Sequence, residues 1–301
     1  MMNQILNQFE EIPAGLLVRA PAKINLSLLI TGKRPDGYHG IETVMAKINW
    51  CDELLLENGT AEGLQLVCTG KYWAPDGPEN LIWRACELLF QRAGRRIPLK
   101  VTLTKNIPAG TGLGSASSDA AAAVMGLNRF ARLNQPDDVL HEICASLGSD
   151  INFFLGGPLA YCTGRGEKIQ KIDEIFDFTA LVCTPRISVA TKSVYANYCH
   201  DPQAYWRLSS QINPLLAKKN LDSLTKICAN MLHPSCFQLY PQLERLKKAC
   251  EQLSHSRVCL SGSGSAVYVL ADGREENLLP VQEFLIKEFD CESRLVNNNR
   301  W

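Results

Sequence analysis

The stretch that most constrains this chain is Lys105 to Ala123, KNIPAGTGLGSASSDAAAA. An alternating apolar/polar run from Leu99 to Thr104 leads into it and predicts a strand. Pro108 interrupts regular structure. Gly110, Gly112 and Gly114 follow at every second position, with the small residues Ser115, Ala116, Ser117 and Ser118 behind them. From about Ser118 the alanine-rich run favours a helix. A strand, a glycine loop and a helix start make a place for an anion. The first N–H groups of a helix lack internal partners, and the helix dipole puts partial positive charge there. Glycines let the backbone come close to an anion's oxygens, the serine hydroxyls add donors, and Lys105 stands at the entrance as a further anion partner. No Gly-Lys-Ser/Thr closes the loop, and the glycine spacing is not that of a dinucleotide-binding loop. The competing reading is an ordinary glycine turn capped by serine.

A chain of 301 residues, 46% hydrophobic and 21% charged, is long enough for about two domains. Its formal net charge of zero gives no global field toward nucleic acid or a membrane. The first residues carry Glu10 and Glu11 and lack the basic start and apolar core of a signal peptide. No apolar run approaches the ~18 residues that span a bilayer, so a cytoplasmic protein is expected. The twelve cysteines include no CxxC pair and sit among apolar neighbours, as buried thiols do. The five histidines form no HExxH pattern.

Upstream, Arg19 to Ile30 sets Ile24, Leu26, Leu28 and Ile30 against Asn25, Ser27 and Leu29, which predicts a strand with a buried face. Lys23 and Asn25 then share the opposite face. A lysine there reads as solvated, whereas asparagine is depleted in strands. Pro35-Asp36-Gly37 is a turn signal. Tyr38 and His39 after it offer a stacking surface and ring nitrogens, or else a packed aromatic and a surface histidine. Thr43 to Leu56 predicts one or two strands, and Glu79 to Phe90 a helix with Leu81, Ala85, Leu88 and Leu89 on one face. Asp137 to Leu147 predicts a helix capped by Asp137 and ended by Gly148. Asp150, just before an apolar run, reads from its position as another helix cap. Leu159 to Glu167 resembles a strand and turn, and Thr179 to Thr184 a buried strand. Leu221 to Met231 and Gln242 to Leu253 are helical patches. Cys259 to Leu270 is a small-residue turn followed by a strand.

Together these stretches resemble the GHMP small-molecule kinases, named for galacto-, homoserine, mevalonate and phosphomevalonate kinases. Pro108 to Ser118 matches the family's central glycine loop, and Leu260 to Ala266 its C-terminal glycine-serine turn. Pro21 to Leu26, Arg34 to His39 and Leu147 to Phe154 resemble the branch that phosphorylates 4-diphosphocytidyl-2-C-methyl-D-erythritol in the non-mevalonate isoprenoid pathway. Ser115-Ala116 stands where that branch often has glycines, and Asn152 where it has proline. The resemblance implies an α+β architecture of two domains. Residues 1–165 would form an ATP-binding domain of ribosomal protein S5 domain 2-like fold, and 166–301 a ferredoxin-like domain, with the active site in the cleft between them.

The resemblance also implies site residues. Lys23 and Asp150 correspond to the catalytic pair. The phosphate-holding loop would comprise Pro108, Ala109, Gly110, Thr111, Gly112, Leu113, Gly114, Ser115, Ala116, Ser117 and Ser118. Asn80 and Leu81 match an Asn-Leu near the adenine pocket, with Lys105 nearby. Asn25, Tyr38 and His39 correspond to positions near the cytidine end of the substrate, and Thr191 to a substrate-side threonine. ATP and Mg²⁺ are the implied cofactors, the metal's protein ligands and the oligomeric state staying open. The partner is a small molecule. Phosphoryl transfer needs positioning and charge stabilisation above all. Asp150 would take the proton of the attacking hydroxyl, and Lys23 would offset charge on the transferring group. Two other readings stay open: a GHMP kinase for another small alcohol, with no need of Asn25, Tyr38 and His39, and a GHMP-fold sensor, with no use for a base.

Overall fold

A computed structural model gives the fold for residues 7–60, 62–174, 177–218, 227–271 and 278–301. Its axis is a pair of long antiparallel strands, β2 (Gly15–Lys33) and β3 (His39–Asn58), in register from Leu16↔Leu56 to Lys33↔His39. Thr43 to Leu56 therefore lies within one strand. β1 (Phe9–Ile12) flanks β2, and β5 (Leu99–Lys105) and β6 (Leu159–Gly164) pair with opposite halves of β3. β4 (Leu64–Gly70) runs parallel to β5, and β7 (Lys168–Lys171) closes a hairpin with β6.

Even-numbered residues of β2 are apolar along its length, yet they serve two cores. Leu16, Val18 and Ala20 pack into one, and Ala22, Ile24, Leu26, Leu28 and Ile30 into the other. The pairing with β3 shifts register between Pro21 and Lys23. Such an irregularity re-aims every side chain beyond it. Helix α2 (Ser115–Phe130) records the change, since its Gly126 lies on Val18 while Gly114 lies on Lys23.

α1 (Leu81–Ala93), α3 (Asp137–Leu147) and α4 (Ile151–Leu155) pack beside α2 in the first of these cores. α1 buries Ile82, Ala85, Cys86, Leu89 and Phe90, so its inner face is turned slightly from the expected one and Leu81 and Leu88 are half-buried. Burial of one large aliphatic contributes about 1.5–3 kcal/mol, more than a good cap, and so sets the rotation. α2 begins at Ser115 rather than Ser118 because Gly114, at φ 72°, takes the left-handed cap position. Asp137 does not cap α3. Pro136 occupies the cap position without a side-chain cap bond, and Asp137 sits in the first turn, where its charge favours the dipole.

The second sheet is antiparallel in the order β11-β8-β10-β9, formed by β8 (Thr179–Thr184), β9 (Val258–Leu260), β10 (Val267–Leu270) and β11 (Glu292–Asn297). α5 (Thr191–Ala196), α6 (Pro202–Ala217), α7 (His233–Leu239) and α8 (Pro241–Ser254) lie between β8 and β9 in the chain, and α9 (Leu278–Phe289) between β10 and β11. This is the β-α-β-β-α-β order of a ferredoxin-like unit. Of the helical patch at Leu221 to Met231, residues 221–226 lie outside the described residues; Gln242 to Leu253 falls inside α8. All twelve cysteines are free and most are buried. Among the described residues no helix is long and apolar enough to cross a membrane.

Direct bonds join the first sheet to the second unit. Leu28 N donates to Ala229 O (2.7 Å), Met231 N to Leu28 O (2.9 Å), and Tyr268 Oη to Asn25 O (2.7 Å). The glycine loop lies at this junction.

Candidate active site

Gly110, Gly112 and Gly114 have φ of 71°, 80° and 72°, a region that residues with a Cβ rarely adopt. The loop's carbonyls are turned inward and taken. Leu113 O accepts from Lys23 N, Thr111 O from Ala266 N and Gly112 O from Ser261 Oγ, each at 2.9 Å. The C-terminal glycine-serine turn crosses directly over the loop, so that a Cβ on Gly112 would stand 2.1 Å from Ser261 O. Gly110 has nothing within 4 Å and opens outward. With its carbonyls engaged behind, the loop presents the uncapped first turn of α2. That arrangement suits phosphate.

Lys105 does not stand at the entrance. It is buried beneath the loop, its ammonium bonded to Asp52, to Asp119 Oδ2 (2.7 Å) and to Ser115 Oγ (2.6 Å). Burial opposes the charge, but the Asp119 and Asp52 carboxylates outweigh it and raise the lysine's pKa. One lysine cannot neutralise two carboxylates, and burial pushes the Asp119 carboxyl well up. Asp52 Oδ1 also accepts from Ile107 N (2.8 Å), so the cluster fastens strand, loop and helix to one another. The signal was in the strand itself: Lys105 shares parity with the buried Leu99, Val101 and Leu103.

On β2, Lys23 and Asn25 share a face as the alternation predicts. Lys23 Nζ donates to Asn25 Oδ1 at 2.6 Å, and a Cβ on Gly262 would lie 3.5 Å from that Nζ. Burial lowers the Lys23 pKa, while the Asp150 carboxylate and the Cys162 thiol oppose the shift. Asp150 precedes α4 but its side chain makes no cap bond; Oδ1 is 3.4 Å from Ser149 Oγ and 3.3 Å from where a Cβ on Gly166 would stand. Its side chain thus makes none of the cap bonds that its position suggests, and its charge acts on Lys23 through space. Lys47, across from Lys23 in register, is a further buried lysine that carries no local signal. Its Nζ donates to Phe154 O (3.1 Å) and Gly156 O (2.7 Å) at the C-terminal end of α4, and burial lowers its pKa to about 7.

The other side of the cleft is aromatic. Asp36 Oδ1 accepts from Tyr38 N (3.1 Å) and holds the predicted turn. Tyr38 is 57% exposed, with the Arg165 guanidinium over its ring. His39 lies 5.6 Å, centroid to centroid, from both Tyr195 and Tyr198. Burial, then Lys33 and His200, lowers the His39 pKa. Tyr195, raised in pKa by burial and by Asp150, links this cluster to the Asp150 carboxylate. Neither tyrosine stands out in the sequence; Tyr195 follows Thr191 by one turn of α5, and Tyr198 lies just past the end of that helix. Thr191 Oγ1 is 2.8 Å from Ser263 Oγ in the C-terminal turn, which adds Ser263 to the site. Asn80 is otherwise occupied. Its Oδ1 caps α1 through Ile82 N (2.9 Å) and its Nδ2 donates to Pro75 O (2.7 Å). Leu81, next to it, opens the helix.

A phosphate cradle, a lysine–carboxylate pair and a glycine-serine turn closing over both define a small-molecule kinase of the GHMP class. The family model for the GHMP kinases N terminal domain matches residues 80–158, and that for the GHMP kinases C terminal domain residues 212–283. The chain is 33% identical over 258 residues to 4-diphosphocytidyl-2-C-methyl-D-erythritol kinase of Citrifermentans bemidjiense, covering 85% of this chain and 89% of that one. It is 36% identical over 255 residues to the enzyme of that name from Bacillus pumilus, covering 85% and 88%. A crystal structure of 4-(cytidine 5'-diphospho)-2C-methyl-D-erythritol kinase superposes with a TM-score of 0.75 at 30% identity, over 93% of this chain and 98% of that one. Homoserine kinase from Cytophaga hutchinsonii superposes with a TM-score of 0.76 at 18% identity, over 98% of both chains, a likeness of fold alone. The chain belongs to the GHMP kinases, and among them to the 4-diphosphocytidyl-2-C-methyl-D-erythritol kinase family.

Proposed function

We propose that this protein transfers the γ-phosphoryl group of ATP to the 2-hydroxyl of 4-diphosphocytidyl-2-C-methyl-D-erythritol, in the non-mevalonate route to isoprenoid precursors. The observation that carries the reading is the placement of Lys23 and Asp150 between the glycine loop and the His39–Tyr195–Tyr198 cluster. The loop N–H groups and the α2 dipole hold the β- and γ-phosphates. The substrate oxygen forms its bond to the γ-phosphorus as the bond to the bridging oxygen breaks and ADP leaves. Asp150 receives the hydroxyl proton. Lys23, held by Asn25, faces the charge that develops on the transferring group. Tyr38, His39 and Tyr195 stack on and hydrogen-bond the cytosine ring, and Asn25 and Thr191 line the path to the reacting hydroxyl.

Mg²⁺ fits this site. Among the described residues Ser118 Oγ and Asp119 Oδ1, at the start of α2, are buried oxygens with no bonding partner, donors of the hard kind that Mg²⁺ takes, and the Asp119 carboxyl, whose protonated form burial favours, would release its proton on binding the metal. Bound there it would neutralise charge on the phosphate oxygens. In this reading Lys105 supports the nucleotide loop from below, and Asn80 and Leu81 shape the adenine side through the start of α1. The ATP-binding unit, expected over 1–165, extends in this reading through β7 to Lys171, because β7 pairs with β6 in the first sheet, and the second unit, expected over 166–301, takes up the chain after it. We place the protein in the cytoplasm, where ATP is supplied. The test is ATP consumption with the cytidylated methylerythritol, homoserine and mevalonate offered separately. Turnover confined to the first is expected; turnover of either simple alcohol in preference to it would remove the cytidine reading.

A further inference from the structure

Asn25 is bonded on three sides. Its Oδ1 accepts from Lys23 Nζ at 2.6 Å, its Nδ2 donates to Thr43 Oγ1 at 2.8 Å, and its main-chain oxygen accepts from Tyr268 Oη at 2.7 Å. Thr43 is fully buried, on β3 beside β2, and its hydroxyl donates to Ser27 O at 2.5 Å. The two ends of an asparagine amide are nearly the same size, so packing hardly distinguishes them; their partners do. A carbonyl oxygen such as Ser27 O only accepts, and therefore consumes the single hydroxyl proton of Thr43. Thr43 Oγ1 is left with lone pairs toward Asn25 and calls for the NH₂ end. The carbonyl end is thereby turned to Lys23, whose ammonium has three donors and no acceptor. A flipped amide would set NH₂ against an ammonium at one end and carbonyl against lone pairs at the other.

We propose that Thr43 is a positioning residue for phosphoryl transfer: through the chain Ser27 O, Thr43 Oγ1, Asn25 amide it fixes which end of the amide Lys23 meets, and so holds the lysine charged and aimed. The inference rests on the assignment of Lys23 as a catalytic residue. Around Lys23 the other facing groups are Asp150 before α4 and Cys162 on β6. Lys47, its partner on β3, sends its ammonium away to Phe154 O and Gly156 O. No second acceptor among these replaces Asn25 Oδ1 at bonding distance. Losing it disfavours the ammonium and lowers the lysine's pKa further.

The experiment compares Thr43→Val, which keeps the shape and removes the hydroxyl, with Thr43→Ser, which keeps the hydroxyl. Thr43→Val is expected to lower kcat on the order of tenfold, the effect of one misdirected buried hydrogen bond, with both KM values within about twofold, as expected when uniform binding is untouched. The alkaline limb of the kcat–pH profile should move to lower pH, because activity that needs charged Lys23 is then lost sooner as pH rises. Thr43→Ser should restore both. The double variant Lys23→Met/Thr43→Val should be no slower than Lys23→Met alone, since Thr43 acts through the lysine. Wild-type kcat with an unmoved alkaline limb in Thr43→Val overturns the proposal, as does equal impairment in Thr43→Ser, which would point to packing. Kinetics are read on whichever alcohol the wild type turns over, so an error in the substrate leaves the test of Thr43 intact. An unaltered kcat in Lys23→Met would instead remove the lysine's assignment.

Discussion

At the scale of the residue, the base proposed at Asp150 gives the first prediction. Because its carboxylate caps nothing, replacing it should cost little stability. Asp150→Asn is expected to lower kcat by about 10²–10⁴, the usual range of a general-base contribution, with the melting temperature nearly unchanged. Near-wild-type turnover would move catalysis to Lys23 and the loop. His39 offers a second prediction. His39→Ala should raise KM for the cytidylated substrate on the order of tenfold or more, from about 1–3 kcal/mol of lost pairing, and leave KM for ATP alone. Its pKa lies below the ordinary 6.5, so the ring is neutral at pH 7 and gains a proton only on further acidification. KM for that substrate should be flat from pH 8 to about 6.5 and rise below it in the wild type. A rise that begins above pH 7 would remove the neutral ring from recognition.

At the scale of the element, the glycine loop separates two uses of glycine. Close approach to an anion is the reason the sequence offers for all three loop glycines, but the missing Cβ of Gly112 makes room for Ser261 O. Gly112→Val should therefore destabilise the protein as well as abolish ATP binding. Gly110 tests the cradle more cleanly. Its surroundings are open, so Gly110→Ala pays only the strain of a positive φ, about 1 kcal/mol. Calorimetric ATP titration and thermal melts on both variants distinguish the roles. Gly110→Ala should weaken ATP more than it lowers stability, and Gly112→Val should do both. A stable Gly112→Val with wild-type ATP affinity would contradict the crossing of the two turns. The strands carry a related lesson. Alternation correctly put Lys23 beside Asn25, yet the same alternation on β5 put Lys105 inward, where only Asp52 and Asp119 make its burial tolerable.

At the scale of the whole molecule, β2 and β3 belong to both hydrophobic cores. Leu16, Val18, Leu54 and Leu56 lie in one, and Ile24, Leu26, Val44 and Ile48 in the other. Neither sheet can lose its partner without exposing the middle of these strands. Differential scanning calorimetry should therefore give one cooperative transition, with matching calorimetric and van't Hoff enthalpies. Two resolved transitions would show that the units melt apart. The geometry of the candidate site depends on the same union, since Lys23 and Asn25 stand on the shared strand while Tyr268 bonds Asn25 from the second sheet and Ser261 bonds Gly112 of the loop from the turn beside it.

What the sequence determined by itself is what depends on near neighbours: the strand–loop–helix order around the glycines, the Pro-Asp-Gly turn before Tyr38 and His39, and the shared face of Lys23 and Asn25. Backbone freedom and side-chain periodicity act over a few residues and leave their mark in the local pattern. The family resemblance rested on several such patterns in the right order. Tertiary structure alone decided the partners. Lys105 meets Asp52 across 53 positions, Ser261 meets Gly112 across 149, and the register shift after Pro21 turns one parity of β2 from one core to the other. A lysine has the same local signature whether it faces phosphate or a buried carboxylate, and an aspartate the same whether it caps a helix or takes a proton. The difference lies in groups brought together only when the chain closes on itself, where desolvation makes each partner's charge and bonding capacity decisive.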